Sequence, residues 1–123
     1  MIKIYYYKPE YSRDMVMGVE FLKENDLLPD TNNIEKTHIL LNDILDYDSL
    51  DEIDYEFNGT GTLENIYSMY QGENWSPNGE ARELILSKGL NHTSMSMGDI
   101  IQVDDEFYMV DAFGFTDITN YKD

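Results

Sequence analysis

Three short β-type segments follow one another between Ile100 and Ile118: Ile100–Val103, Phe107–Asp111 and Phe113–Ile118. They are separated only by a turn at Asp104-Asp105 and a bend at Gly114. Connections this short join antiparallel neighbours, because a parallel crossover needs a dozen residues or more. A fourth strand is expected at residues 2–7, with Ile2, Ile4 and Tyr6 on one face and Lys3, Tyr5 and Tyr7 on the other; Pro9 ends it. The short apolar run Thr37–Ile44 reads as a buried strand.

Helical spacing fills the intervals. Met15, Val19 and Leu22 predict a helix over Ser12–Asn25, weakened by Gly18 inside it. The stretch 28–33 reads as loop. Leu63, Ile66, Tyr67 and Tyr70 recur at i, i+3, i+4, i+7 behind a Thr62 cap, after the turn Asn58-Gly59-Thr60-Gly61, and Gln71-Gly72 ends that helix. A further helix carries the stronger boundary signals: Ser76 as N-cap, Pro77 at its first position, Lys88 in the last turn, Gly89 just past the end and Leu90 beyond. Ala81, Leu84, Ile85 and Lys88 line one side of it. With 123 residues, 41% of them hydrophobic, and neither a repeat nor a linker, the chain is expected to form one α+β domain spanning 1–123. Its sheet should be small and mostly antiparallel, with two or three helices packed on one face.

Charge bounds function more than fold. Twenty-five acids stand against eight Lys and Arg, a formal net charge of −17. Such a surface repels nucleic acid and anionic lipid and is drawn to basic grooves. A chain of this length has a radius of gyration of about 14 Å and a diameter of roughly 35 Å. That span of duplex DNA carries on the order of 20 charges, so the protein nearly matches the DNA it would displace from a groove. The simpler account of the acidity is solubility.

The acids also have an address. From Asp43 to Glu56 the chain holds seven acids and no base: Asp43, Asp46, Asp48, Asp51, Glu52, Asp54 and Glu56. In its last part Ile53, Tyr55 and Phe57 alternate with Glu52, Asp54 and Glu56. As a strand this would repeat a carboxylate about every 6.6 Å along one edge. Those seven acids, with Tyr47, Tyr55 and Trp75 as aromatic anchors, are the candidate partner-binding residues. A solvated acidic face is the structural alternative.

Catalytic signatures are weak. With no cysteine in the chain, thiolate chemistry, disulfides and cysteine-ligated metals are excluded. His92, Ser94 and Asp99 invite a nucleophile–base–acid reading, yet no nucleophile elbow accompanies them. Serines and an aspartate entering a strand ordinarily make turn hydrogen bonds. Glu73 and Glu80 complete the set from which a small enzyme would draw. No H-x-x-x-H pair, calcium loop or phosphate cradle is present. No enzymatic activity, cofactor or metal is therefore expected. The polar stretch Gln71–Arg82, which contains the only tryptophan, is either a recognition loop anchored by Trp75 or a corner in which Trp75 plugs the core. With no signal-peptide layout at Met1–Tyr7 and no apolar run of membrane-spanning length, a soluble, cytoplasmic protein is expected.

The string Met69-Tyr70-Gln71-Gly72-Glu73-Asn74-Trp75-Ser76-Pro77-Asn78-Gly79-Glu80-Ala81-Arg82 is continued by His92-Thr93-Ser94-Met95-Ser96-Met97-Gly98-Asp99-Ile100-Ile101 and closed by Phe113-Gly114-Phe115. Together they resemble a group of small uncharacterised proteins of phages, plasmids and mobile elements, and the tail resembles YodL-like domains. The resemblance covers about the C-terminal half and brings no activity with it. What it implies is context: an acidic inhibitor that blocks a host nucleic-acid-processing or defence protein, of restriction or CRISPR type, with nucleic-acid mimicry as one route. The expected partner is a host protein with a basic surface, with no direct binding to nucleic acid or membrane. The alternative is a protein-binding module with an aromatic or hydrophobic interface, whose acidity only confers solubility.

Overall fold

The computed structural model describes residues 2–44, 63–64, 66–67, 70–71, 80–90 and 94–119. Five strands form one sheet: β1 (Ile2–Tyr7), β2 (His38–Ile44), β3 (Ile100–Val103), β4 (Glu106–Val110) and β5 (Phe115–Asp117). Their order is β2-β1-β3-β4-β5, and every neighbouring pair is antiparallel. The α+β class and the antiparallel sheet expected from the sequence are what the structure shows. β3, β4 and β5 are consecutive hairpins, as their short connections require.

Coverage of the sheet is two-sided where one-sided packing was expected. On one face Ile2, Ile4 and Tyr6 of β1 meet Ile101, Val103 and Val110, with Leu63, Ile66, Tyr70, Ile85, Leu90 and Met95 above them. On the other, Tyr5 and Tyr7 meet Ile100, Phe107 and Met109 under Met15, Val19, Leu22, Leu28 and Ile34. The physical reason lies in β1: apart from Lys3, both alternating sets are apolar or aromatic, so leaving either face wet would strand tyrosine rings in water.

The expected helix over 12–25 is two helices, α1 (Ser12–Met15) and α2 (Val19–Glu24), parted at Gly18. A 3-10 turn at Pro9–Tyr11 precedes α1, and another occupies Thr31–Lys36, which overlaps the expected loop. Leu63, Glu64, Ile66 and Tyr67 are helical, with Leu63, Ile66 and Tyr70 buried as their spacing predicts. The helix α3 (Glu80–Ser87) ends as expected: Gly89 N–H donates to Leu86 and Leu90 N–H to Ile85, a Schellman closure whose Ile85 and Leu90 side chains are both buried. Ser76 and Pro77 lie outside the described residues. Between β1 and β2 the register shifts, because Ile4 faces Asn42 while Tyr5 faces Leu40. Leu41 is the extra residue of this bulge and fills the core beside Ile4. Among the described residues no helix is long and apolar enough to cross a membrane.

Candidate functional site

Asp46, Tyr47, Asp48, Asp51, Glu52, Asp54, Tyr55, Glu56 and Trp75 lie outside the described residues, as do Glu73 and His92. Asp43 belongs to β2, where its backbone pairs with Lys3. Asp99 has a structural use. It is fully buried; one carboxylate oxygen accepts the Tyr7 N–H at 3.0 Å and the other the Ser96 N–H at 2.8 Å. The bond from Ser96 is the turn hydrogen bond that its position before β3 implies, whereas the bond from Tyr7, 92 positions away, ties the turn to β1.

Among the described residues, the histidine that contacts this segment is His38. Buried at the start of β2, it reaches Gly98 and Thr37. A carbonyl only accepts, so Nε2 donates to the Gly98 oxygen at 2.7 Å, which leaves Nδ1 to accept from the Thr37 hydroxyl at 2.8 Å. Gly98 fits closely here: an added Cβ would lie 2.7 Å from the Met15 carbonyl oxygen. This polar knot joins β1, β2, α1 and the approach to β3. Above it, Tyr6 has its phenol pushed well above the usual tyrosine range by burial, then by the charge of Asp99 and by Tyr70. Among the described residues, no group of three or more His, Asp or Glu could hold a metal ion.

The exposed chemistry is at the β4–β5 connection. Residues 111–114 close through Asp111 N–H donating to the Gly114 carbonyl at 2.9 Å. Asp111 then pins the hairpin to the start of α2. Its Oδ1 accepts the Val19 N–H at 3.2 Å and the Ala112 N–H at 2.8 Å, while Oδ2 accepts the Thr116 hydroxyl at 2.7 Å. Burial alone would raise this carboxyl, but those three donors and the Lys23 charge outweigh it and hold it below the usual carboxylate range.

On this braced turn Phe113 is 96% exposed. Two grooves meet this turn. One, of about 270 Å³, is lined by Met17, Gly18, Glu20, Asp111, Ala112 and Phe113. The other, of about 450 Å³, is lined by Glu64, Tyr67, Val110, Asp111, Ala112, Gly114 and Phe115. Met17 is 54% exposed, and Val16 beside it is also exposed, which extends the apolar patch. Glu20, Glu64 and Asp111 supply carboxylates, and among the described residues neither lining contains Lys or Arg. A third groove, of about 160 Å³ beside Thr37, is lined by both charge signs, including Asp14, Asp26, Asp30 and Lys36.

Sequence reasoning missed Phe113 as a site residue. Its available signal was an aromatic residue in a hairpin connection, where Asn, Asp, Gly, Pro and Ser dominate. No family model, curated protein or solved structure matches the chain.

Proposed function

We propose that the chain is an acidic binding protein that occupies a basic surface of a protein partner and blocks it stoichiometrically, with Phe113 as its apolar anchor. The observation that carries the reading is Phe113 itself: 96% exposed on a braced turn with two grooves whose charged lining, among the described residues, is Glu20, Glu64 and Asp111. Large aromatic residues are the side chains that most often dominate binding energy once buried in a partner's pocket. Carboxylates around such an anchor favour a pocket rimmed by Lys and Arg, and a net charge of −17 would speed the encounter. The partner class implied by the phage-type resemblance is a host nucleic-acid-processing or defence protein. In this reading the acids from Asp43 to Glu56 form a second anionic element, the one suited to nucleic-acid mimicry.

The test is capture from a bacterial lysate on the immobilised wild-type chain and on Phe113→Ser, at low and high salt, with the captured protein then assayed for inhibition. The expected result is a basic-surfaced protein whose activity is blocked at one-to-one stoichiometry, retained by wild type and lost by the variant. Equal capture by both forms would reject the anchor. Retention unchanged by salt would favour the second reading, an aromatic interface whose acidity only confers solubility, which the exposed Val16, Met17 and Phe113 support.

A further inference from the structure

β5 ends the sheet, and among the described residues no strand lies beyond it. Its register fixes which backbone groups face outward. Asp111 N–H bonds to Gly114 and Ile118 N–H bonds to Phe107, so residues 114 and 118 turn their groups towards β4. In an antiparallel ladder the alternate residues then present theirs to the open side. Those residues are Phe115 and Asp117, which face Val110 and Tyr108.

The side chains along that edge are aromatic and acidic. Phe115 packs edge-on to Tyr67, with ring centroids 6.1 Å apart and planes at 78°. The two rings line the larger groove together with Glu64 and Asp111. Two residues on, Asp117 lies opposite Tyr108, whose hydroxyl donates to Glu106. Burial first, then that hydrogen bond and the charges of Glu106 and Asp117, raise the Tyr108 phenol.

We propose that the β5 edge takes up an extended segment of the partner as a sixth strand, and that this segment carries Lys or Arg at alternate positions. Outward N–H and C=O groups of Phe115 and Asp117 would form the new ladder. Side chains of an added strand alternate between faces, so every second residue falls beside Phe115 and Asp117. A Lys or Arg there lays its alkyl stem along the Tyr67 and Phe115 rings and brings its charge to Glu64 and Asp117. An acidic or uncharged segment finds no such complement. The inference rests on reading the β4–β5 hairpin as a docking surface, and it adds the chemistry of what docks.

The experiment uses the full wild-type chain and a short blocked peptide of alternating Arg and Val. Its counterparts are the same peptide with the ladder-forming amides N-methylated, and one with Glu in place of Arg. Amide exchange and chemical shifts are followed by NMR. The expected result is binding by the Arg-Val peptide with new protection of the Phe115 and Asp117 amides, at least tenfold weakened by N-methylation and absent with Glu. No binding, protection elsewhere, or equal binding of the N-methylated peptide would overturn strand addition. Failure of the parent reading looks different: the peptide would still protect Phe115 and Asp117, while capture of a folded partner would not depend on Phe113.

Discussion

Phe113 occupies a turn position at which a smaller, polar residue would serve the backbone equally well, so its ring contributes little to folding. Phe113→Ser is expected to change unfolding free energy by no more than about 0.5 kcal/mol, as for surface substitutions generally, while reducing partner retention at least tenfold. Chemical denaturation and a binding assay on the same preparation check this. Asp111 next to it has the opposite profile. Removing a carboxylate that accepts from Val19, Ala112 and Thr116 should destabilise by about 1–3 kcal/mol in Asp111→Ala. Because the folded state lowers its pKa, the stabilisation is complete above the unfolded value of about 3.9 and lost as pH falls through the folded one. The stability gap between wild type and Asp111→Asn, measured by denaturation across pH, should therefore be flat near neutrality and close only below about pH 4. Tyr6 gives the alkaline counterpart. Its neutral phenol is favoured by folding, so that stabilisation holds below the unfolded value of about 10 and fades as pH rises towards the folded pKa. In an ultraviolet titration Tyr6 should ionise only with unfolding, and Tyr6→Phe should flatten the alkaline loss of stability.

At the scale of elements, two glycines with positive φ separate conformational cost from steric cost. An added Cβ at Gly89 meets nothing within 4 Å, so Gly89→Ala should cost only the left-handed backbone, about 1–2 kcal/mol. At Gly98 the added carbon would be 2.7 Å from the Met15 carbonyl and 2.8 Å from the Met15 Cβ, so α1 must move or the turn must open. Gly98→Ala should be the more damaging of the two, which paired denaturation curves will show. Gly89 was legible in the sequence because a Schellman end is local: glycine, the following leucine and the preceding helical period lie within a few residues. The three-strand tail was legible for the same reason. Other features depend on distant partners. Gly18 parts two helices where a continuous period suggested one, and it approaches Asp111, 93 positions away in the chain, which takes up the Val19 N–H. The Leu41 bulge is set by pairing with β1, and the burial of Tyr5 and Tyr7 needs α1 and α2 laid over them. No local pattern encodes either.

For the whole molecule, composition bears on the sign of the partner surface proposed above, and the fold on where such a partner would dock. The acids that stood out were those clustered in sequence, from Asp43 to Glu56. Among the described residues, the carboxylates lining the grooves at the Phe113 turn come from Glu20, Glu64 and Asp111, which only the fold brings together. His92 lies outside the described residues; among those described, His38 is the histidine that reaches the Gly98–Asp99 turn, 60 positions away from Gly98 and brought there by β1–β2 pairing. At a net charge of −17 the encounter with a basic partner should accelerate at low ionic strength and slow once the screening length, about 10 Å at 0.1 M, shrinks with added salt. Hydrogen exchange of the captured complex, read peptide by peptide along the chain, bears most directly on the docking surface. Protection on binding should centre on residues 111–117, with Phe113 inside the protected segment; protection confined to residues 43–56, with the hairpin exchanging as in the free protein, would contradict it.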